Sequence, residues 1–151
     1  MEKFESAEAI LDFAIAREQE AQSFYRDLAG KVKSQAMQKL LMEFVAQEAR
    51  HEARLKGVKQ GRKSLGAGGK VPDLKVSQYL APTQPKPEMD YQDALMVAMQ
   101  RERAAFALYS DLAGSTDDAE LQEVFEALAQ EEAKHKLFLE REYDDRVYSE
   151  N

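Results

Sequence analysis

Two short stretches carry residues suited to metal chemistry, Glu48-Ala49-Arg50-His51 and Glu132-Ala133-Lys134-His135. Each sets a carboxylate three residues ahead of an imidazole on a background of helix formers. On a helix, such side chains stand ~60° apart round the axis and ~4.5 Å apart along it, so both can reach one cation. A single Glu-x-x-His recurs by chance in any glutamate-rich helix. Here each is preceded by a further glutamate, Glu18 or Glu102, at the same distance, since 48 − 18 and 132 − 102 are both 30.

This spacing belongs to a longer internal repeat. A shift of 84 residues (102 − 18, 132 − 48 and 135 − 51) carries each of the three residues onto its counterpart without a gap. It also carries Leu11 onto Leu95, Tyr25 onto Tyr109, and Asp27-Leu28-Ala29-Gly30 onto Asp111-Leu112-Ala113-Gly114. The chain writes one helical hairpin twice.

The apolar periodicity says which elements hold these residues. A first helix is expected after Ser6, ending near Gly30 in a left-handed cap, with the seam Leu11, Ala14, Glu18, Ala21, Tyr25, Leu28. A second runs from about Ser34 to about Gly57 along Met37, Leu41, Phe44, Glu48, His51, Leu55. So short a loop makes the two antiparallel neighbours. A third begins near Asp90, with Asp93 as a capping-box variant, and ends at Gly114. A fourth starts around Asp117 and reaches about Asp145 before a frayed tail.

Between them the glycines and prolines of residues 59–89 break any helix and make a crossover, read as a connector that could also act as a lid. Leu74, Val76, Tyr79 and Leu80 give it some apolar content, so it should lie against the bundle. Residues 1–151 thus form one all-α domain, a four-helix bundle of hairpin 6–58, crossover 59–89 and hairpin 90–145.

Glu18, Glu48, His51, Glu102, Glu132 and His135 all fall on seam positions. Glu18 lies 12 residues before Gly30 and Glu48 14 after Ser34, so an antiparallel pair brings them level. Four buried carboxylates would cost several kcal/mol each and repel one another. Two divalent cations cancel their charge, with neutral imidazoles completing the ligation. Mixed oxygen and nitrogen donors suit iron or manganese, and zinc also fits by ligand type. Glu43, Glu126 and Glu131 read as solvated faces, and Met37, Met96 and Met99 as core filler. Tyr25 and Tyr109 each follow a seam glutamate by a heptad. They are either core tyrosines or hydroxyl donors that orient a ligand carboxylate.

A net charge of −7 argues against nucleic-acid binding, and no apolar run approaches a membrane span. The first five residues lack the basic start and apolar stretch of a secretion signal. The absence of cysteine removes disulfides and thiolate-held metals, so a cytoplasmic location is expected.

With these motifs in place, the sequence resembles the ferritin-like, rubrerythrin-type di-iron proteins from about residue 6 to 145. The resemblance implies that the six Glu and His residues bind two iron ions. It implies reduction of hydrogen peroxide, or oxidation of Fe(II) with O2. Full-length rubrerythrins carry a cysteine-ligated rubredoxin domain; this sequence has no cysteine, so a separate electron-donor protein is implied. The family's extra carboxylate one turn past the third-helix glutamate is replaced by Ala105, and its repeat mate is Ala21. The ligand set is therefore the symmetric four-Glu, two-His version. The alternative reading is an iron-binding or iron-delivery protein with little turnover. A homodimer is expected.

Overall fold

Ser6 starts the first helix, α1 (Ala7–Ala29), by accepting the Ala9 N–H at 3.0 Å on its hydroxyl. The computed structural model describes residues 3–61 and 64–150, with side chains as far as Arg146. Residues 62–63 of the expected crossover, and 1, 2 and 151 of the expected domain, lie outside the described residues. At the end of α1, Gly30 is right-handed (φ −70°, ψ −16°), which corrects the left-handed cap expected there. Its N–H bonds the Arg26 carbonyl and the Val32 N–H bonds that of Leu28, so the helical bonding runs on into the turn and no positive φ is needed.

Helix α2 (Gln35–Gln60) is capped by Ser34, whose hydroxyl accepts the Met37 N–H at 3.2 Å. It passes the expected stop at Gly57 and ends only at Gly61. In the extra turn the Lys59 ammonium lies 2.6 Å from Asp12 and 3.8 Å from Glu8 on α1. Between the two helices Leu11, Ala14, Tyr25, Leu41, Phe44 and Leu55 are buried, and the Tyr25 and Phe44 rings meet edge to face at 5.3 Å.

Helix α3 (Tyr91–Ser115) starts at Asp90, whose carboxylate accepts the Asp93 N–H at 2.8 Å. It reaches one residue past Gly114. Helix α4 (Ala119–Glu150) is capped by Asp118 and not by Asp117, since Asp118 Oδ1 accepts from both Glu120 and Leu121. It does not fray near Asp145 but continues to Glu150. Neither glycine nor proline interrupts that stretch. Arg146 also bonds Glu142 at 3.3 Å and lies over the Tyr91 ring at 5.1 Å. Leu95, Ala98, Tyr109, Leu112, Leu121, Phe125, Leu128 and Leu139 are buried in this second hairpin. Met96, expected in the core, is 41% exposed.

The described part of the crossover contains two short 3-10 turns, Ala67–Gly69 and Val76–Tyr79. Gly68 and Gly69 have φ of 65° and 79°, where side chains are strained. Gly66 has no room for a Cβ, which would stand 2.0 Å from the Lys70 carbonyl oxygen. Leu74 and Tyr79 of this segment are buried, whereas Leu80 is 48% exposed. Leu80 lies just past the 3-10 turn, where the backbone becomes extended (φ −97°, ψ 136°) and the helical direction of the side chains ends.

The Tyr79 hydroxyl donates to Asp111 Oδ2 at 2.6 Å, and the Thr83 N–H donates to Gln100 Oε1 at 3.2 Å, so this segment lies along α3. Replacing Tyr79 by phenylalanine should lower stability by about 1–2 kcal/mol. Chemical denaturation would measure it, and an unchanged midpoint would show that the bond contributes nothing.

The chain divides into two compact units, Lys3–Asp73 and Leu74 onward, each built round one helical hairpin. Among the described residues no helix is long and apolar enough to cross a membrane.

Candidate metal centre

In the first hairpin the seam of α1 presents Glu18, and the seam of α2 presents Glu48 and His51, one turn apart. All three are 1–2% exposed. His51 Nδ1 lies 3.2 Å from Glu18 Oε2 and 3.1 Å from Glu48 Oε1. Each residue offers one ligand atom, and the three atoms lie within 4.8 Å of one another. The second hairpin builds the same triad from Glu102 on α3 and Glu132 and His135 on α4, again within 4.8 Å and almost fully buried. Here the distances are longer, with His135 Nδ1 3.6 Å from Glu102 Oε1 and 4.0 Å from Glu132 Oε1. All six residues singled out in the sequence therefore sit in two buried Glu/Glu/His sets, one per hairpin.

Burial pulls the His51 imidazole toward the neutral form. The hydrogen bonds and negative charges of Glu18 and Glu48 outweigh it and push the pKa up to about 10. Without a cation, a proton on His51 thus offsets part of the carboxylate charge. A divalent ion does the same with two charges and draws on oxygen and nitrogen donors already gathered. The donor set fits such an ion.

Tyr25 and Tyr109 are buried at 2% and 1% exposure, and Tyr25 also meets Phe24 at 5.8 Å. Glu43 and Glu126 are exposed and Glu131 is half-buried.

The residue that sequence reading passed over is Glu52. Its carboxylate accepts from Gln19 Nε2 at 2.9 Å and Gln22 Nε2 at 2.8 Å, both on α1, and pairs with Lys56 Nζ at 2.7 Å. These bonds, that to Lys56 first, hold its pKa down at about 2. A signal was present, for Gln22 and Glu52 are 30 residues apart, the interval that also separates Glu18 from Glu48. Glutamine and glutamate on a helix surface nevertheless give no sign of pairing until the helices are placed side by side.

Replacing Glu52 by alanine should cost the metal-free protein about 1–2 kcal/mol. Because the folded pKa is depressed, this contribution is complete above about 4.5 and fades as pH falls toward about 2. Thermal melts of both proteins at pH 7 and pH 3 would test this. A gap between them that does not shrink at pH 3 would contradict it.

An all-α fold with buried, repeated carboxylate–histidine sets defines a ferritin-like protein whose hairpins each gather donors suited to a metal ion. The rubrerythrin family model matches residues 9–143, so the chain belongs to the rubrerythrin family. Among solved structures, a hypothetical protein from Pyrococcus furiosus is similar at 28% identity and a TM-score of 0.72, over 93% of this chain and 89% of that one. A Thermotoga maritima protein assigned to the ferritin-like diiron-carboxylate class matches at 18% identity and a TM-score of 0.75, over 97% and 99% of the two chains. The fold class is thus the ferritin-like four-helix bundle expected from the repeat. No curated protein sequence matches the chain.

Proposed function

We propose that the chain is a non-haem di-iron oxidoreductase of rubrerythrin type. It would reduce hydrogen peroxide, or oxidise Fe(II) with O2, using electrons from a separate donor protein. Glu18, Glu48 and His51, with Glu102, Glu132 and His135, are read as the ligands of two iron ions in one functional domain, which the family model spans without a break. The observation that carries this reading is the buried Glu/Glu/His set, present twice in one chain. Manganese or zinc would fit the same donors. The reading also includes a cytoplasmic location and a homodimer.

When bound, iron would supply a one-electron couple between Fe2+ and Fe3+. The chain's own part is to gather four carboxylates whose charge balances two divalent ions, to release the proton held on His51 as an ion enters, and to keep bulk water away through burial. Tyr25 and Tyr109, one heptad beyond Glu18 and Glu102, are proposed to orient ligand carboxylates through their hydroxyls.

A second reading, iron binding or delivery with little turnover, is favoured by Ala21 and Ala105, which offer no further carboxylate one turn past Glu18 and Glu102. One experiment separates the two. Peroxide is added in excess to the anaerobic ferrous protein together with a chemical reductant. Many peroxide molecules consumed per chain support the oxidoreductase. A single stoichiometric oxidation, both here and with O2 and added Fe(II) in place of peroxide, would overturn it in favour of iron binding.

A further inference from the structure

The two hairpins are not equivalent below the level of their ligands. In the first, Glu52 stands next to His51 and one turn beyond Glu48, while Gln19 stands next to Glu18 and Gln22 one turn beyond it. Gln22 Nε2 also bonds the Glu18 carbonyl oxygen at 3.3 Å. The bonds from Gln19 and Gln22 to Glu52 therefore tie the two ligand-bearing turns directly to each other.

The repeat supplies an internal control. Adding 84 to 19, 22, 52 and 56 gives Arg103, Phe106, Lys136 and Glu140. An arginine and a phenylalanine facing a lysine cannot form the same network. Lys136 instead bonds Glu140 on its own helix at 3.1 Å, and Phe106 is 40% exposed. The triads differ in the same sense, with His51 at 3.2 and 3.1 Å from its carboxylates and His135 at 3.6 and 4.0 Å. Ligands already drawn together lose less freedom when an ion arrives.

We propose that the first hairpin carries the pre-organised ligand set and takes up the first divalent cation, with Glu52 as the positioning residue that holds its ligands together. The second hairpin then fills in a weaker step. This rests on the reading of the six residues as ligands for two ions, and it adds an order of loading and a residue that sets that order.

The test is an anaerobic titration of the metal-free full chain with Co2+, followed by visible absorption and by heat. Two steps separated by at least about tenfold in affinity are expected. Glu52→Ala should weaken the tight step about tenfold and leave the weak one in place. A merely structural role would lower the melting temperature without narrowing the gap between the two steps. The reverse variant carries the clamp to the second hairpin as Arg103→Gln, Phe106→Gln, Lys136→Glu and Glu140→Lys, and should tighten the weak step. Two equal steps in the unaltered chain, both steps shifting together in Glu52→Ala, or a weak step unmoved by the transplanted clamp would each overturn the proposal while leaving the two-ion reading intact. No uptake of Co2+ at all would overturn that reading, and this one with it.

Discussion

Glu48→Ala is expected to lower peroxide or ferroxidase turnover by more than about 100-fold and to prevent the chain from taking up two irons. Glu48 is 1% exposed and lies 3.1 Å from His51, so it is a member of the first triad and not a surface charge. Its removal leaves that triad one carboxylate and one imidazole. The charge balance of four carboxylates against two divalent ions is lost as well. Glu132→Ala should do the same from the second hairpin, where Glu132 is equally buried.

Iron analysis after anaerobic loading, with turnover measured on the same sample, tests the pair. Bound metal stabilises the folded chain in proportion to the logarithm of its excess over Kd, so the rise in melting temperature on adding Fe2+ should also shrink in both variants. Either variant that keeps two irons and full turnover would remove these residues from the centre.

The affinity of the first site should rise about tenfold per pH unit between pH 6 and 8, about 100-fold in all. His51 in the metal-free protein is raised from 6.5 to about 10, so it carries a proton throughout this range. An entering cation has to displace that proton, and a more acidic solution favours the proton over the cation. The same shift gives a sign for stability. In the metal-free chain the stabilising effect of protonated His51 is complete below about 6.5 and is lost as pH rises through about 10. Loaded protein should not show that loss, so the stabilisation brought by metal widens toward alkaline pH. Titrations with Mn2+ at pH 6, 7 and 8 measure the slope. A Kd that stays flat across these values would mean that His51 enters the metal-free state without its proton.

Much of this molecule can be read from one dimension because it is helical and repeated. Leu11, Ala14, Glu18, Tyr25 and Leu28 fall on one face through helical periodicity alone, and all are buried. The same holds for Leu121, Phe125, Leu128, Glu132, His135 and Leu139. A carboxylate and an imidazole placed on such a face announce themselves, since an unpartnered buried charge is too costly to be kept without use. The interval of 84 residues doubled that signal and identified all six members of the two triads. Serine and aspartate at Ser6, Ser34 and Asp90 marked helix starts through bonds that are local in sequence.

What the tertiary structure alone decided depends on which surfaces meet. Helix α2 runs past Gly57, and in its added turn Lys59 meets Asp12 and Glu8 across the hairpin, partners about 50 residues away in sequence. Helix α4 outlasts its expected end as Arg146 settles over Tyr91 of α3. Leu80 turns outward because Tyr79 takes the inward place and is bonded there by Asp111. Glu52 is the clearest case. In the sequence it is one more glutamate in a charged helix, and only the packing of α1 on α2 gives it two glutamine partners beside the ligand turns. Periodicity determines which face of a helix is buried, whereas contacts between polar residues at the rim depend on how far apart and at what height two helices stand, and that is decided only when they pack.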